Sequence, residues 1–235
     1  MRVSRLEFWK VDNLSGGIVL ASEASFRACL TSLQSLDCGS MALEIQYLKS
    51  AVLPKDFPKA DRPEVALAGR SNSGKSSFLN AISKKPVAHI SQEPGKTRLL
   101  NFYDVGKSYR LVDMPGYGFA KRSIDEMESW TRMIESYLEE RPNLAGLVLL
   151  IDIKREWTRD EYLLAEYLRD NDIPFCLVLT KADKLKPKEI KTAVENMQQE
   201  ARLMDVFPVS NVRRLGTEDV EDFLFKNWVQ PHKSK

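Results

Sequence analysis

Gly69-Arg70-Ser71-Asn72-Ser73-Gly74-Lys75-Ser76 decides how this chain is read. The run fits G-x-x-x-x-G-K-[ST], a loop that wraps the phosphates of a nucleotide. Gly69 and Gly74 permit backbone angles and a close approach that a side chain would block. Consecutive loop N–H groups then converge on anionic charge. Lys75 is a compact cation for the β- and γ-phosphates. The Ser76 hydroxyl is an oxygen ligand suited to Mg²⁺, which takes hard donors and keeps several waters. The flanks supply the context such a loop needs. Glu64-Val65-Ala66-Leu67-Ala68 reads as a short buried strand and Ser76 to Ile82 as an amphipathic helix, whose N-terminus adds partial positive charge.

Working outward, strands and helices alternate. Pro54, Pro58 and Pro63 mark an extended lead-in before the first core strand. Leu99 to Val105 is a second strand, Gly106-Lys107 a hairpin turn, and Ser108 to Val112 the next strand. Leu147 to Asp152 and Phe175 to Leu179 are near-continuous apolar runs, suited to central parallel strands buried on both faces. Val206 to Val209 is the last strand. Helical patterns occupy about 124–140, 158–170, 187–203 and 217–228, with Thr158 and Thr217 read as N-caps because acidic residues follow each. The alternation predicts an α/β fold: a doubly wound, mostly parallel sheet with helices on both faces and ligands at the carboxyl ends of the strands.

A phosphate loop alone permits ATP or GTP, and a kinase, a motor or a switch. Three further boxes narrow this. Asp113-Met114-Pro115-Gly116 follows an apolar strand and fits D-x-x-G. Asp113 would hold Mg²⁺ through a water, and the Gly116 N–H would contact the γ-phosphate; the plainer reading is a turn of Asp, Pro and Gly. Thr180-Lys181-Ala182-Asp183 fits [NT]-K-x-D. The Asp183 carboxylate can accept from N1–H and the exocyclic amine of guanine, a donor pair adenine lacks, and leaving it unpaired would be costly. The Lys181 stem can lie over the base. Ser210-Asn211 follows Val209 at the end of the last strand, where a backbone N–H would meet guanine O6. Between these boxes, Gly95-Lys96-Thr97-Arg98-Leu99 holds the natural threonine, Thr97, for completing the Mg²⁺ shell only when a γ-phosphate is present. His89 lies nearby and reads as a surface or satisfied residue.

Size and charge bound the rest. The chain has 235 residues, 43% hydrophobic and 29% charged, with net charge +2. That suits one globular domain with an extension and carries no overall field demanding nucleic acid. Cys29, Cys38 and Cys176 form no C-x-x-C pair, so a reduced cytoplasmic chain is expected. No apolar run approaches the roughly 20 residues needed to span a bilayer, so no membrane insertion is expected. Residues 1–40 show no clear period. Gly16 to Ala21 has the look of a short signal core, but Glu7, Asp12 and Glu23 around it argue against secretion. The expected organisation is an extension over 1–40, weakly ordered or upstream of a native start at Met41, a domain over 41–230, and a basic tail over 231–235.

With these residues in hand, the chain resembles the translation-factor-like P-loop GTPases, the Ras-like group that includes TrmE, Era, EngA and EngB. Within it the chain is similar to the EngB family (also called YsxC or YihA). The resemblance rests on Ala68 to Asn72 with Gly74 to Ser77, Pro94 to Thr97, Asp113 to Gly118 and Thr180 to Lys184. It covers roughly Met41 to Trp228, and family members typically begin close to where Met41 falls. Two departures stand out: the family usually has a second Ser where Asn211 stands, and residues 1–40 have no counterpart. The resemblance implies a small monomeric bacterial GTPase with GTP/GDP and Mg²⁺ as ligands. It implies action in assembly of the large ribosomal subunit, through rRNA and ribosomal proteins, and a need for the protein in division and septation. The competing readings are a GTP-controlled protein-interaction switch without ribosome contact and an ATP-using small-molecule kinase, which Thr180 to Asp183 argues against.

Ras-type GTPases carry a glutamine just after D-x-x-G to orient the attacking water. Tyr117 stands there, so unaided hydrolysis should be slow, and no catalytic base is assigned. Lys75, Thr97, Mg²⁺ and the loop amides supply positioning and charge neutralisation. Related GTPases with asparagine at the position of Asn72 use it to hold a monovalent cation, which makes Asn72 a candidate K⁺ ligand; the alternative is that it only stabilises the loop. Lys84-Lys85, Lys96, Arg98, Lys107, Arg110, Lys121-Arg122 and Arg213-Arg214 are the candidate basic surface for RNA, most of it expected beside the switches.

Overall fold

The computed structural model of the chain describes residues 44–88, 99–117, 124–213 and 215–233. Seven strands form one sheet: β1 (Ile45–Ala51), β2 (Glu64–Ala68), β3 (Leu100–Val105), β4 (Tyr109–Asp113), β5 (Leu144–Asp152), β6 (Phe175–Thr180) and β7 (Val206–Pro208). Their spatial order is β1-β3-β4-β2-β5-β6-β7. The pairs β4–β2, β2–β5, β5–β6 and β6–β7 are parallel, while β1–β3 and β3–β4 are antiparallel. The α-helices of eight residues or more are α1 (Lys75–Ser83), α2 (Ile124–Glu140), α3 (Arg159–Asp170), α4 (Pro187–Ala201) and α5 (Thr217–Leu224). The expected doubly wound, mostly parallel sheet with helices on both faces is what forms.

Strand periodicity explains the two layers. Alternate residues point to opposite faces. Ala66, Ala68, Leu147, Leu149 and Ile151 therefore join one core with Met133, Ile134 and Tyr137 of α2, Leu164 and Leu168 of α3, and Met197 of α4. Val65, Leu67, Val148 and Leu150 join the other with Phe78, Leu79 and Ile82 of α1 and Val220 and Leu224 of α5. At β5 the second core needs a glycine. A Cβ on Gly146 would fall 2.6 Å from the Trp228 ring, so the bare backbone lets the indole lie on the sheet. A single π turn, Phe225–Val229, delivers that ring after α5.

The structure departs from the sequence reading in three places. The lead-in before β2 contains β1, an edge strand pairing with β3. Thr217 is the first residue of α5 and not its cap; Gly216 holds the cap position at φ +75°, where a Cβ would fall 2.4 Å from Pro208 O. Helix α4 ends at Ala201, because Arg202 turns left-handed at φ +49°. Thr158 caps α3 as expected, in a reciprocal box with Glu161.

At the amino end of the sheet, Glu64 is fully buried and accepts Arg141 Nε at 2.8 Å and Nη2 at 2.5 Å, with the Tyr137 hydroxyl at 3.1 Å. Arg141 also donates to Pro58 O and Arg110 to Lys59 O. These contacts fasten the proline-marked lead-in beneath β2.

Candidate functional site

The chain leaves β2 at the carboxyl edge of the sheet and turns at Gly69. A Cβ there would lie 2.4 Å from Leu150 O and 2.6 Å from Ser73 Oγ, so only glycine fits. Asn72 sits exposed in the left-handed region at φ +64°. Gly74, at φ +96°, precedes α1. Lys75 is buried and its Nζ donates to Gly69 O at 2.8 Å and Arg70 O at 3.2 Å. Burial pushes its ammonium pKa down, and the Asp113 carboxylate opposes that. Ser76 follows in the first turn of α1.

Asp113 ends β4, one strand over, paired beside Leu67. Its carboxyl is buried, with Oδ1 lacking any hydrogen-bond partner. Burial raises its pKa to about 6, opposed by Lys75. A buried carboxylate oxygen with nothing donating to it, near enough to the phosphate loop to act on Lys75, makes with the Ser76 hydroxyl of that loop a pair of hard oxygens suited to Mg²⁺. A cation there would remove the penalty that burial imposes on the charged carboxylate. Beyond it, Met114 N donates to Leu67 O at 3.0 Å, and Pro115 leads to Gly116. Gly116 packs onto the phosphate loop: a Cβ there would lie 2.8 Å from Ser71 N. Ser71 N donates to Tyr117 O at 3.1 Å, and Arg70 and Tyr117 form a parallel bridge.

The third and fourth boxes close the same edge. Thr180 ends β6, and its hydroxyl lies 2.6 Å from Ser73 O and 3.2 Å from Ile151 O. Lys181, left-handed at φ +61°, donates through Nζ to Asn72 O at 2.9 Å and Asp152 Oδ2 at 2.8 Å. The ion pair holds the Asp152 carboxyl below its ordinary pKa against the effect of burial. Ala182 N donates to Val209 O at 3.0 Å. Ser210 Oγ donates to Asp183 Oδ1 at 2.6 Å, fixing the carboxylate read as the guanine acceptor. Asn211 Nδ2 reaches Gly74 O at 3.4 Å, while its buried Oδ1 has no partner.

The structure thus brings Gly69–Ser76, Asp113–Gly116, Thr180–Asp183 and Val209–Asn211 to one edge. Leu99 is exposed just before β3. His89, Gly95, Lys96, Thr97 and Arg98, and likewise residues 1–40, Gly118, Lys121, Arg122, Arg214 and the last two residues, lie outside the described residues. Sequence reasoning missed Asp152, Thr158, Asp160 and Glu161 as neighbours of the site. Asp152 had a legible signal, a lone acid closing an apolar strand. Asp160 and Glu161 had none beyond helix capping.

The basic surface is corrected. Arg110 is buried, with Nε 2.7 Å from Asp104 Oδ1 and Nη2 2.9 Å from Asp61 Oδ1, so its charge is spent inside the protein. Lys84 and Lys85 follow the far end of α1, and Lys107 lies in the β3–β4 turn. All four belong to the amino end of the sheet, away from the phosphate loop. Among the described candidates only exposed Arg213, beside Ser210, borders the site.

This edge, with its loop, its Mg²⁺-compatible carboxylate and its guanine-type box, defines a P-loop GTPase. A family model described as a 50S ribosome-binding GTPase matches residues 64–181, half of the chain. A probable GTP-binding protein EngB of Bdellovibrio bacteriovorus is 51% identical over 191 residues, 81% of this chain and 96% of that protein. A second, from Kosmotoga olearia, is 39% identical over 75% of this chain and 95% of its own length. The chain belongs to the EngB family of GTP-binding proteins. In fold it is similar to the crystal structure of a probable EngB (TM-score 0.59, 23% identity, 73% of this chain and all of that one). It is equally similar in fold to Era in complex with MgGDPNP and 16S ribosomal RNA (TM-score 0.59, 23% identity, 71% of this chain and 56% of that one). Among the described residues no helix is long and apolar enough to cross a membrane.

Proposed function

We propose that this protein is a GTP-controlled switch in assembly of the large ribosomal subunit, binding that subunit or its precursor in one nucleotide state and needed for normal division and septation. One observation carries the nucleotide part: the guanine-type box is hydrogen-bonded into the phosphate loop, Thr180 to Ser73 and Lys181 to Asn72. Base and phosphates of a single guanine nucleotide would then be read by one rigid frame. The family model's description as a 50S ribosome-binding GTPase supports the ribosomal part.

In this reading the amides of Gly69 to Ser76 and the Lys75 ammonium hold the phosphates, and Asp183 with the Ser210–Asn211 backbone holds guanine. Ser76 and Thr97 would be direct ligands to Mg²⁺ and Asp113 a water-mediated one. Bound Mg²⁺ would supply charge neutralisation on the β- and γ-phosphates. Hydrolysis is slow because the Tyr117 phenol, where an efficient GTPase orients water, is buried against Glu161 at 2.9 Å. Asn72, exposed in the loop, is the residue for K⁺.

The test is co-sedimentation with large-subunit precursors in a non-hydrolysable GTP analogue, in GDP and without nucleotide. Binding should depend on nucleotide and fall steeply with salt. Failure to bind in any state would leave a protein-only switch, and tighter ATP than GTP binding would overturn the guanine assignment.

A further inference from the structure

We infer that the buried Tyr117–Glu161 pair is a positioning device that sets the Gly116 N–H for a γ-phosphate and so sets the preference for GTP over GDP. The inference rests on the reading of this edge as a guanine-nucleotide site. Tyr117 is held at both ends. Its carbonyl accepts from Ser71 N at 3.1 Å, in a bridge that runs alongside Arg70. Its hydroxyl donates to Glu161 Oε1 at 2.9 Å, with Tyr117 only 6% and Glu161 only 2% exposed.

Glu161 is itself immobilised. It is the third residue of α3, and its Oε2 accepts from Thr158 N at 3.1 Å and from the Thr158 hydroxyl. The neighbouring Asp160 Oδ2 takes Arg70 Nη1 at 3.1 Å. One helix start therefore grips the phosphate loop through Arg70 and the chain after Asp113 through Tyr117. Between the two grips lies Gly116, so close to Ser71 that a Cβ would meet Ser71 N at 2.8 Å and its Cα at 3.0 Å. With Tyr117 fixed on one side and Ser71 packed against it on the other, the backbone at Gly116 has little room to turn.

A hydrogen bond from a phenol to a buried carboxylate is charge-assisted and stronger than a neutral one. Burial and the adjacent carboxylate push the phenol pKa well above its ordinary value, so it remains the donor. Removing that bond takes away the grip of α3 on the Tyr117 side chain and leaves the Ser71–Tyr117 backbone bond to hold the chain after Gly116, which loosens the setting of the Gly116 N–H. In this reading the Gly116 N–H meets the γ-phosphate, which GDP lacks, so GDP binding, which depends on the loop and Asp183, is spared.

The experiment measures affinities of the full chain for GDP and for a non-hydrolysable GTP analogue, in wild type and in Tyr117→Phe, Glu161→Ala and Glu161→Gln. Tyr117→Phe and Glu161→Ala should weaken the analogue by about tenfold, a loss of about 1.4 kcal/mol, with GDP affinity unchanged. Glu161→Gln, whose amide oxygen still accepts, should recover most of the loss. A merely structural bond would instead lower both affinities together. Equal loss for both nucleotides, or no loss, overturns the inference while leaving the nucleotide reading intact. Failure of the wild type to bind either nucleotide sinks both. If Glu161→Ala does not fold, Tyr117→Phe, which removes a single oxygen, decides the matter, with its GDP affinity as proof of folding.

Discussion

The hydroxyl of Thr180 sits 2.6 Å from the carbonyl of Ser73, joining two loops 107 residues apart in sequence. Thr180 is fully buried, so this contact is made without competition from water. It ties the base-reading box to the phosphate loop.

Thr180→Val keeps the shape and removes the donor. A buried carbonyl left short of its donor costs about 1–3 kcal/mol. We expect guanine-nucleotide affinity to fall at least tenfold and the melting temperature to drop, while Thr180→Ser stays near wild type. Calorimetric titration with GDP checks this.

Asp183→Asn exchanges an acceptor for a donor where the base is read. Ser210 Oγ, 2.6 Å from Asp183 Oδ1, can still position the replacement side chain. GTP affinity should fall by about a hundredfold or more, since a polar mismatch in such a site is severe. Xanthosine triphosphate should become the better ligand. Competition between the two nucleotides reads the switch directly.

The two readings of Asn72 separate through glycine. Its φ of +64° is a conformation glycine adopts without strain. If the side chain holds a cation, hydrolysis runs faster in KCl than in NaCl, and Asn72→Gly abolishes the difference. If Asn72 only shapes the loop, the glycine variant behaves as wild type in both salts.

Glu221 on α5 has its pKa raised from 4.5 to about 7 by burial and by its neighbours Glu218 and Asp222, against Lys84 at the end of α1; Tyr109 of β4 also feels its charge. The folded protein therefore keeps a proton that the unfolded chain releases between those two values. Stability is lost as pH rises through that window. Glu221→Gln should melt higher than wild type at pH 8 and converge with it near pH 5. Allowing for solvent screening at this half-buried site, the gain is about 1 kcal/mol, or about 2–4 °C.

Arg141→Leu would leave Glu64 buried with its main countercharge gone. Breaking such a pair costs about 3–5 kcal/mol. Since the pair lies at the amino end of the sheet, the loss should appear in thermal unfolding and not in the GDP affinity of the protein that remains folded.

Much of this was legible in the chain itself. The apolar runs of β2, β5 and β6, and the four boxes that end or follow β2, β4, β6 and β7, need only near neighbours to be recognised. A phosphate loop announces itself because its glycines answer local backbone demands. β1 escaped because it buries only its two ends, Ile45 and Ala51, and shifts register between Tyr47 and Lys49, so no period of two survives. Thr217 looked like a cap because acidic residues follow it, yet the tight approach to Pro208 O places glycine at the cap instead.

The sequence by itself determined the alternation of strands and helices, the identity of the boxes and the family, because periodicity and motif spacing are properties of adjacent residues. Only the tertiary structure decided which charges remain available and which side chains touch. Arg110 looked like free positive charge until β4 set it beside Asp61 and Asp104. Tyr117 looked like a poor stand-in for a water-orienting glutamine until α3 presented Glu161, 44 residues on, to its hydroxyl. Contacts of that range form only when the sheet is wound, since packing and not local preference brings their partners together.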